Sequence, residues 1–573
     1  MIHPGFRRAL PRLPRALPAL ALATALLAGC ATPGQAPSSP TNEAPVRVKV
    51  LAINDFHGNL LPPAGGIRIA DPARPGETLQ VQAGGAEYLA SAVQSLRAKN
   101  PHHVFVAAGD LVGASPLLSA LFHDEPTIEA LGLMGLELSA VGNHEFDEGL
   151  AELQRKQNGG CHPGDGCKGP KPFEGARYRY LAASTVDERN GQTVFPAYAI
   201  KRFDGVPMAF IGLTLKGTPG LVSPSGVRGL RFEDEVQTVN RLVPELQRQG
   251  VQAIAVLIHE GGYPTGGHNE CPGISGPIVD IVERLDPAVD LVISGHTHRA
   301  YVCRIAGRLV TSGDKFGTLV SEIDVELDRR SGDVRSVSAG NVIVQHDRFA
   351  KDAQQTALIA GYQQVAGPLI HRHVGRIAAS FDRDETRSPG GGTAMGQLVA
   401  DAMLAATAPA DQGAAELALT NIGGVRTGLV LQGDGSVSYG DLFAALPFGN
   451  ALVTVELSGA QLLQVLEEQW RGQPKFRPLQ VSRGFAYTWD PARPVGQRVL
   501  PDSVTLNGEP LRAERRYRVA INAFLQAGGD GYATLTQGQA AVIGPRDVDA
   551  LEAFVKAQPG PLQPSSLDRV RRR

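Results

Sequence analysis

The sequence predicts an α/β fold in at least two domains, and three observations support this prediction. The chain has 573 residues, whereas a single domain usually has about 100 to 200. Hydrophobic residues make up 43% of the chain, which is enough for a buried core. Short apolar runs such as 46–53 alternate with segments of helical spacing such as 86–99, a pattern typical of layered folds.

The N-terminal segment indicates export. Several arginines lie among the first residues, and the apolar segment 16–28 is too short to span a bilayer. Leu27-Ala28-Gly29-Cys30 resembles a bacterial lipobox, which implies cleavage before Cys30 and a lipid on its thiol; an ordinary signal peptide is the alternative. We predict a signal peptide over 1–29 and a flexible tether over 30–45. The mature chain would be a lipoprotein on the periplasmic side of the outer membrane or at the cell surface.

The net charge of the chain bears on the kind of partner that it can bind. The net charge of -2 gives no electrostatic support for a nucleic-acid polymer as partner.

Besides Cys30 there are four cysteines, an even number that favours disulfides in an exported chain. We expect Cys161 to pair with Cys167 in a glycine-rich loop, which leaves Cys271 for Cys303. A zinc site is the alternative, but neither pair has the close spacing of a zinc knuckle.

Five apolar runs each end in polar residues that can bind a metal ion. One such residue at a strand end is usually a turn former or a cap, so it indicates little. Five in one domain predict a metal-centred site, because sites assemble at the carboxyl ends of strands in sheet-and-helix proteins. The runs are 46–53, 104–108, 138–141, 254–258 and 291–293, and the candidate ligands are Asp55, His57, Asp110, Asn143, His259, His296 and His298.

This set of ligands indicates hydrolytic chemistry. Imidazole nitrogen and carboxylate oxygen without thiolate suit Zn, Mn or Fe better than a structural zinc. The ligands are too many for one tetrahedral ion. Two divalent ions about 3.5–4 Å apart, bridged by a carboxylate, are the usual arrangement for displacement at phosphorus. Asp110, alone at its strand end, is the natural bridge.

The strand-end motifs resemble the signature of calcineurin-like metallophosphoesterases. They are Asp55-x-His57, Gly109-Asp110, Gly142-Asn143-His144-Glu145, His259 and Gly295-His296-Thr297-His298. The extended motif Gly142 to Asp147, with a large second domain after it, resembles the bacterial 5'-nucleotidase and UDP-sugar hydrolase family. The resemblance implies a four-layer sandwich of mixed sheets and helices over 46–345, and a smaller α/β substrate-binding domain over 375–573. We expect a linker helix within 346–374 that Gly367-Pro368 ends.

The resemblance also assigns roles in the first domain. It implies one metal held by Asp55, His57, Asp110 and His298, and another held by Asp110, Asn143, His259 and His296. His144 and Asp147 match the catalytic pair of the family, in which the carboxylate orients the imidazole and favours its cationic form. Glu145 receives no role and is interpreted as a helix-start carboxylate.

The second domain is expected to recognise the nucleoside. Phenylalanines beside glycine-rich turns are more often core residues than ligand-stacking ones, but the resemblance reverses this for Phe448 and Phe524. The family places a nucleobase between two such rings, which stack on any base. Asn421, Arg426 and Asp530 match further substrate-binding positions. A phosphate-binding arginine is expected in the loop before the helix that contains Met395, where Arg383 and Arg387 are the candidates.

The sequence leaves the substrate open within this class. The resemblance implies hydrolysis of nucleotide phosphate esters with two divalent metal ions, and a nucleoside 5'-monophosphate is the leading substrate. The alternatives are UDP-sugars, NAD and 2',3'-cyclic nucleotides. A surface-binding protein or adhesin on the same fold is the alternative of another class. A protein phosphatase is disfavoured because it would have no use for the aromatic pair. The oligomeric state is not predicted.

Overall fold

The computed structural model describes residues 44–71, 73–74, 77–384, 388–471 and 476–573. The predicted signal peptide and Cys30 lie outside the described residues, as does Arg387. Within the described ranges, no helix has both the length and the apolar character needed to cross a membrane.

The first domain alternates strands and helices as predicted. Its strands are β1 (Val46–Ile53), β2 (Ile67–Ala70), β3 (Thr78–Val81), β4 (His103–Ala107), β5 (Leu138–Ala140), β6 (Arg179–Leu181), β7 (Thr185–Asp187), β8 (Gln192–Thr193), β9 (Tyr198–Phe203), β10 (Val206–Thr214), β11 (Leu230–Phe232), β12 (Ala253–His259), β13 (Leu291–Ser294), β14 (Ala300–Ile305), β15 (Arg308–Gly313), β16 (Leu319–Leu327) and β17 (Val334–Ile343). Its helices are α1 (Ala86–Arg97), α2 (Leu117–Ala120), α3 (Glu125–Leu133), α4 (Leu150–Asn158), α5 (Glu235–Arg248) and α6 (Pro277–Arg284).

Two sheets packed face to face form the centre of this domain. Their strand orders are β17-β16-β1-β4-β5-β6 and β14-β15-β13-β12-β10-β9. Val50 and Val106 of the first sheet share one buried core with Phe210 and Leu257 of the second. Helices α1, α3 and α4 cover the outer face of the first sheet, and α5 and α6 cover that of the second. The four layers that the resemblance implied are therefore present.

The five predicted strands divide between the two sheets. Strands β1, β4 and β5 are parallel neighbours in the first sheet, and β12 and β13 are parallel neighbours in the second. In each sheet, the carboxyl ends of these strands therefore lie side by side. The packing of the two sheets brings both sets of strand ends together. Hydrophobic periodicity identifies a strand but not the sheet it joins, so the sequence did not predict this division.

The second domain is a smaller α/β unit, as expected. Its elements are β18 (His373–Arg376), α8 (Ala394–Thr407), β19 (Leu417–Asn421), β20 (Ser436–Ser438), α9 (Tyr439–Ala445), β21 (Ala451–Ser458), α10 (Gly459–Glu468), β22 (Leu479–Val481), β23 (Phe485–Trp489), β24 (Thr505–Leu506), β25 (Glu509–Pro510), β26 (Arg516–Asn522), α11 (Ala523–Gln526), β27 (Gln539–Arg546), α12 (Asp547–Lys556) and β28 (Val570–Arg572). A five-stranded sheet in the order β22-β19-β26-β21-β27 has α8, α9 and α12 in the core on one side and α10 on the other.

The linker helix, named α7 from here, spans Ala353–Ile370. The prediction that Gly367-Pro368 ends it is wrong, because the helix continues past the proline. The proline removes one backbone hydrogen bond and crowds the carbonyl four residues earlier, but the packing of the helix against both domains outweighs this cost. The helix then closes where the His371 N–H donates to the Gly367 carbonyl at 3.0 Å. Helix α7 contacts α1, α2 and α3 of the first domain and α9 of the second.

Two disulfides and one apolar contact between the domains complete the fold. The expected disulfides are confirmed, with Cα–Cα distances of 4.7 Å for Cys161–Cys167 and 5.2 Å for Cys271–Cys303. Leu117 of α2 belongs to the first domain by sequence, but its side chain is buried in the hydrophobic core of the second. The domains are therefore joined by a shared core as well as by α7.

We predict that Leu117→Ala lowers the free energy of unfolding by about 2–4 kcal/mol, because it leaves a cavity in the shared core. Urea unfolding followed by tryptophan fluorescence is the measurement, since Trp470 and Trp489 both lie in the second domain's core. Leu133→Ala is the matched control, because Leu133 is 38% exposed and its truncation should change stability by no more than about 0.5 kcal/mol. Equal losses in both variants would contradict an anchoring role for Leu117.

Candidate active site

The backbone at the strand ends adopts a conformation that most residues avoid. Asp55, His57, Asp110, His296 and His298 all have φ between 46° and 68°, in the left-handed region. This conformation is uncommon for residues other than glycine, and it costs of the order of 1–3 kcal/mol per residue. The surrounding structure therefore holds these predicted ligands in place at an energetic cost, which is typical of active sites.

Asp55, His57 and His298 form the first ligand cluster. The Nε2 atoms of the two histidines are 3.1 Å apart, and His298 Nε2 is 3.3 Å from Asp55 Oδ1. His57 Nδ1 lies 2.9 Å from the Gly113 carbonyl and donates to it, so Nε2 is the ring nitrogen with the lone pair. Burial alone would raise the pKa of Asp55, but the imidazoles of His298 and His57 lower it well below its usual value.

The second cluster contains Asp110, His259 and His296. His259 Nδ1 donates to the Ala108 carbonyl at 2.8 Å, which leaves Nε2 free to bind a metal. That Nε2 is 2.9 Å from Asp110 Oδ2 but is not aligned for a hydrogen bond. Burial alone would raise the pKa of Asp110, but His259 and His144 lower it. The Asn143 side-chain oxygen is buried nearby without a hydrogen-bond partner.

These residues fit two divalent cations. Asp55 Oδ1, Asn143 Oδ1 and His259 Nε2 are buried atoms without hydrogen-bond partners, a state that is costly unless an ion satisfies them. Asp110 Oδ2 is 3.6 Å from His57 Nε2 and 2.9 Å from His259 Nε2, so one oxygen faces both clusters. The structure brings together the residues that the resemblance assigns to each metal, and Asp110 lies between the two clusters.

His144 and Asp147 lie together beside the metal ligands. His144 Nδ1 is 2.9 Å from Asp147 Oδ2, and the His144 backbone N–H donates to Asp110 Oδ1 at 2.9 Å. Burial disfavours a charged imidazole, but the carboxylates of Asp147 and Asp110 raise the pKa of His144 above its usual value. The His144 ring lies 5.2 Å from the His57 ring between centroids. The predicted catalytic pair is therefore assembled and favours a cationic imidazole.

A cavity of about 750 Å³ opens over both clusters and is lined by both domains. The Arg426 guanidinium reaches to 3.4 Å from His57 Nε2. The Phe448 ring stacks on His144 with centroids 5.6 Å apart, so the imidazole covers part of one face of this ring. Phe524 and Asp530 line the same cavity. Residues more than two hundred positions apart thus share one site.

Other predicted substrate-binding residues of the second domain also line this cavity. Asn421 donates to Asp530 Oδ2 at 2.7 Å, and both line the cavity. Of the two arginine candidates, Arg383 lines the cavity and donates to the Ile422 carbonyl at 3.0 Å. Arg387 lies outside the described residues, so its predicted role stays a prediction.

Comparisons with known proteins agree with this geometry. The sequence profile of the calcineurin-like phosphoesterases matches residues 48–300, and that of the 5'-nucleotidase C-terminal domain matches residues 373–537. The Cell wall protein Lmo0130 of Listeria monocytogenes is 31% identical over 90% of this chain and 67% of its own length. The chain belongs to the 5'-nucleotidase family of metallophosphoesterases. The predictions of this family, of the α/β fold and of a phosphoric-ester hydrolase are confirmed.

Two further proteins show how this family member compares with others. The Endonuclease YhcR of Bacillus subtilis is 31% identical over 93% of this chain, but the chain spans only 41% of that protein's length. The crystal structure of the 5'-nucleotidase precursor from Thermus thermophilus has a TM-score of 0.75 at 24% identity. The match covers 92% of this chain and 99% of that one. At that identity the likeness shows a shared fold.

The metallophosphoesterase site depends on Glu145, which the sequence interpretation left without a role. Glu145 does sit in a short helical turn, but its carboxylate accepts backbone N–H groups of Asp110 at 3.0 Å, Leu111 at 2.8 Å and Gly142 at 2.6 Å. Burial and the nearby charge of Asp110 raise the pKa of Glu145 to about 7. Glu145 thus holds the loop that carries Asp110. Its place within the ligand motif was the only sequence signal.

Three more residues of the site were missed by sequence reasoning. Asn54 donates to Asp55 Oδ2 at 2.7 Å and accepts from the Gly313 N–H at 2.7 Å. Arg477 lines the cavity and donates to Asp530 Oδ1 at 2.5 Å. Lys315 lines it too, and burial with nearby arginines lowers its pKa to about 8. Asn54 directly precedes the Asp55-x-His57 motif, whereas Lys315 and Arg477 belong to no recognisable motif, so only the structure shows their positions.

We predict that Glu145→Gln weakens metal binding about 10- to 100-fold, because the amide nitrogen faces backbone N–H donors that the carboxylate accepts. The metal content of the protein after dialysis against graded Mn²⁺ measures this. Glu137→Gln is the control, since Glu137 lies just before β5, at the strand end opposite this site, and pairs with Lys201. Unchanged metal affinity in Glu145→Gln would contradict a role for Glu145 in holding the ligand loop.

Proposed function

We propose that this metallophosphoesterase hydrolyses nucleoside 5'-monophosphates to nucleoside and phosphate, with two divalent ions of the Zn or Mn type. One observation carries the proposal. Arg426 of the second domain, a predicted substrate-binding residue, lies 3.4 Å from His57 of the first ligand cluster. A phosphate gripped by this guanidinium is therefore next to the predicted metal ligands.

The ligand clusters position the phosphoryl group. Asp55, His57 and His298 would hold one cation, and Asp110, Asn143, His259 and His296 the other, with Asp110 shared. When bound, the two cations neutralise charge on the phosphoryl oxygens and lower the pKa of an attacking water. The side chains themselves fix the donor atoms in a buried setting, so that little rearrangement is needed during the reaction.

His144 supplies a positive charge from the protein itself. Its Nδ1 is taken by Asp147, so Nε2 is the nitrogen left for the substrate. Because Asp147 and Asp110 favour the cationic imidazole, His144 can donate a hydrogen bond to an oxygen that gains negative charge in the transition state. Arg426 supplies a second positive charge. Its guanidinium forms no ion pair with a carboxylate of the described residues, so this charge is available to the phosphoryl group.

The aromatic residues support a nucleoside as the leaving group. Phe448 and Phe524 line the same cavity as the ligands, as do Asn421 and Asp530. Two ring faces suit a planar base of any identity, and a carboxylate with an amide suits ribose hydroxyls. A cleft built for phosphoproteins would not need these groups.

Other phosphate esters fit the same centre. UDP-sugars, NAD and 2',3'-cyclic nucleotides each present a phosphorus atom beside a nucleoside, and the relative named an endonuclease adds nucleic-acid strands. Hydrolysis rates for AMP, UMP, UDP-glucose, NAD, cyclic AMP isomers and an oligonucleotide, measured with Mn²⁺ and Zn²⁺, decide among them. The highest kcat/KM for AMP or UMP supports the proposal. No turnover with any substrate would favour the surface-binding alternative.

We also propose that the protein is an exported lipoprotein anchored through Cys30. The two disulfides support export, because such bonds persist in oxidising compartments. The absence of Asp after Cys30 is associated with the outer membrane in bacterial lipoproteins. Labelling with a palmitate analogue, followed by membrane fractionation of the native protein and of Cys30→Ser, tests this. Label retained in the variant would refute the anchor.

The first functional prediction concerns the shared ligand. We expect Asp110→Asn to reduce AMP hydrolysis by at least about 100-fold, because the amide cannot supply the negative charge that two cations share. The metal is removed with a chelator, Mn²⁺ is added back, and the release of phosphate from AMP is measured. Asp204→Asn, which changes a surface carboxylate, is the control. Full activity of Asp110→Asn after metal removal would contradict the two-metal proposal.

The second concerns recognition of the base. Phe448→Ala and Phe524→Ala should each lower kcat/KM for AMP by about 5- to 100-fold, the value of one stacking contact. Hydrolysis of p-nitrophenyl phosphate, which has no base, should change little. Phe554→Ala is the control for general loss of packing, because Phe554 lies in α12 against the second domain's core. Parallel losses on both substrates would show that these rings serve the metal centre instead.

A further inference from the structure

Lys315 is held on a turn that is fixed against the first ligand cluster. The turn joins β15 to β16, and its Phe316 N–H donates to the Asp55 carbonyl at 2.8 Å. The Phe316 ring packs edge-on against the rings of His57 at 6.1 Å and His298 at 5.9 Å. The Lys315 ammonium lies 5.0 Å from the centre of the same ring. The ammonium is therefore held beside the ligand set and is not part of it.

The positive charge of Lys315 is only partly compensated by its neighbours. Its ammonium forms no hydrogen bond and no ion pair with the described residues. The neighbouring Asp314 attracts both Lys315 and Arg299 electrostatically, but it forms no ion pair with either and accepts from Thr318 Oγ1 at 3.4 Å. Arg299, directly after His298, lines the same cavity and is likewise without an ion pair among the described residues. We call Arg299 and Lys315 together the cationic lip.

Burial removes hydration from this ammonium, and the charge of Asp314 with the Phe316 ring compensates only in part, since the pKa of Lys315 is still lowered to about 8. The nearby cations of Arg383 and Arg426 add repulsion. An anionic ligand removes both costs at once. Because Arg426 and His144 already serve the scissile phosphoryl group, the anion for the cationic lip is a different one.

We propose that the cationic lip binds a second phosphate group of the substrate, directly linked to the one that is cleaved. This inference rests on the proposed function and extends it. According to this inference, Arg299 and Lys315 increase the preference of the enzyme for nucleotides that contain a diphosphate over nucleoside monophosphates. A diphosphate suits the lip because its second group remains close to the first, beside the ligand cluster that Phe316 contacts.

The test compares substrates that differ in this group alone. In the Mn²⁺-loaded enzyme, we expect Lys315→Gln to lower kcat/KM for ADP about tenfold, the effect of losing one charge-assisted contact. AMP and p-nitrophenyl phosphate should change less than about twofold. Lys315→Arg should restore most of the activity on ADP, because it restores the charge. Lys99→Gln is the matched control, because Lys99 follows α1 and pairs with Glu322, away from the cavity.

A binding measurement separates this inference from the proposed function. Calorimetry with methylenediphosphonate and with inorganic phosphate needs no hydrolysis, so it remains informative if AMP is not a substrate. We expect the native protein to prefer the diphosphonate and Lys315→Gln to lose most of that preference. The same preference in the native protein and the variant would overturn the inference. Equal losses on ADP and AMP would overturn it too, because they would place Lys315 at the scissile phosphate.

Discussion

The Asp110 carboxylate makes the contacts on which the rest of the site depends. One of its oxygens accepts the His144 N–H, and the other faces His57 from its own sheet and His259 from the opposite sheet. A buried anion in this position is stable only because cationic or metal partners surround it. The two sheets, the His144 imidazole and both candidate ligand clusters are therefore arranged around one charge. Glu145, a second buried carboxylate, fixes the loop from behind.

The layered fold explains how this arrangement is held. Parallel strands deliver their ends to one edge, and face-to-face packing through Val50, Val106 and Phe210 sets the distance between the two edges. Left-handed backbone at Asp55, His57 and Asp110 turns the side chains toward the common centre. That backbone is unfavourable in isolation, so the buried cores on both sides supply the stability that maintains it.

Much of this was accessible from the sequence, for a physical reason. Buried strands give continuous apolar runs, and a polar residue directly after such a run marks a strand end, which is how Asn143 and His259 were found. The sheet that each strand joins depends on contacts between distant segments, which periodicity does not encode. Glu145 has the same sequence appearance whether it caps a helix or holds a loop. Pro368 was expected to end α7, but local propensity yields to tertiary packing near a helix end.

The burial of Leu117 has a consequence for how the two domains communicate. Leu117 lies seven residues after Asp110, and Gly113, whose carbonyl orients His57, lies between them. This short stretch of backbone starts at Asp110 and ends inside the core of the second domain. A displacement of that domain that carried Leu117 with it would therefore pull on the loop that holds Asp110. The second domain and the candidate ligand loop are joined through one covalent segment, in addition to the cavity that they share.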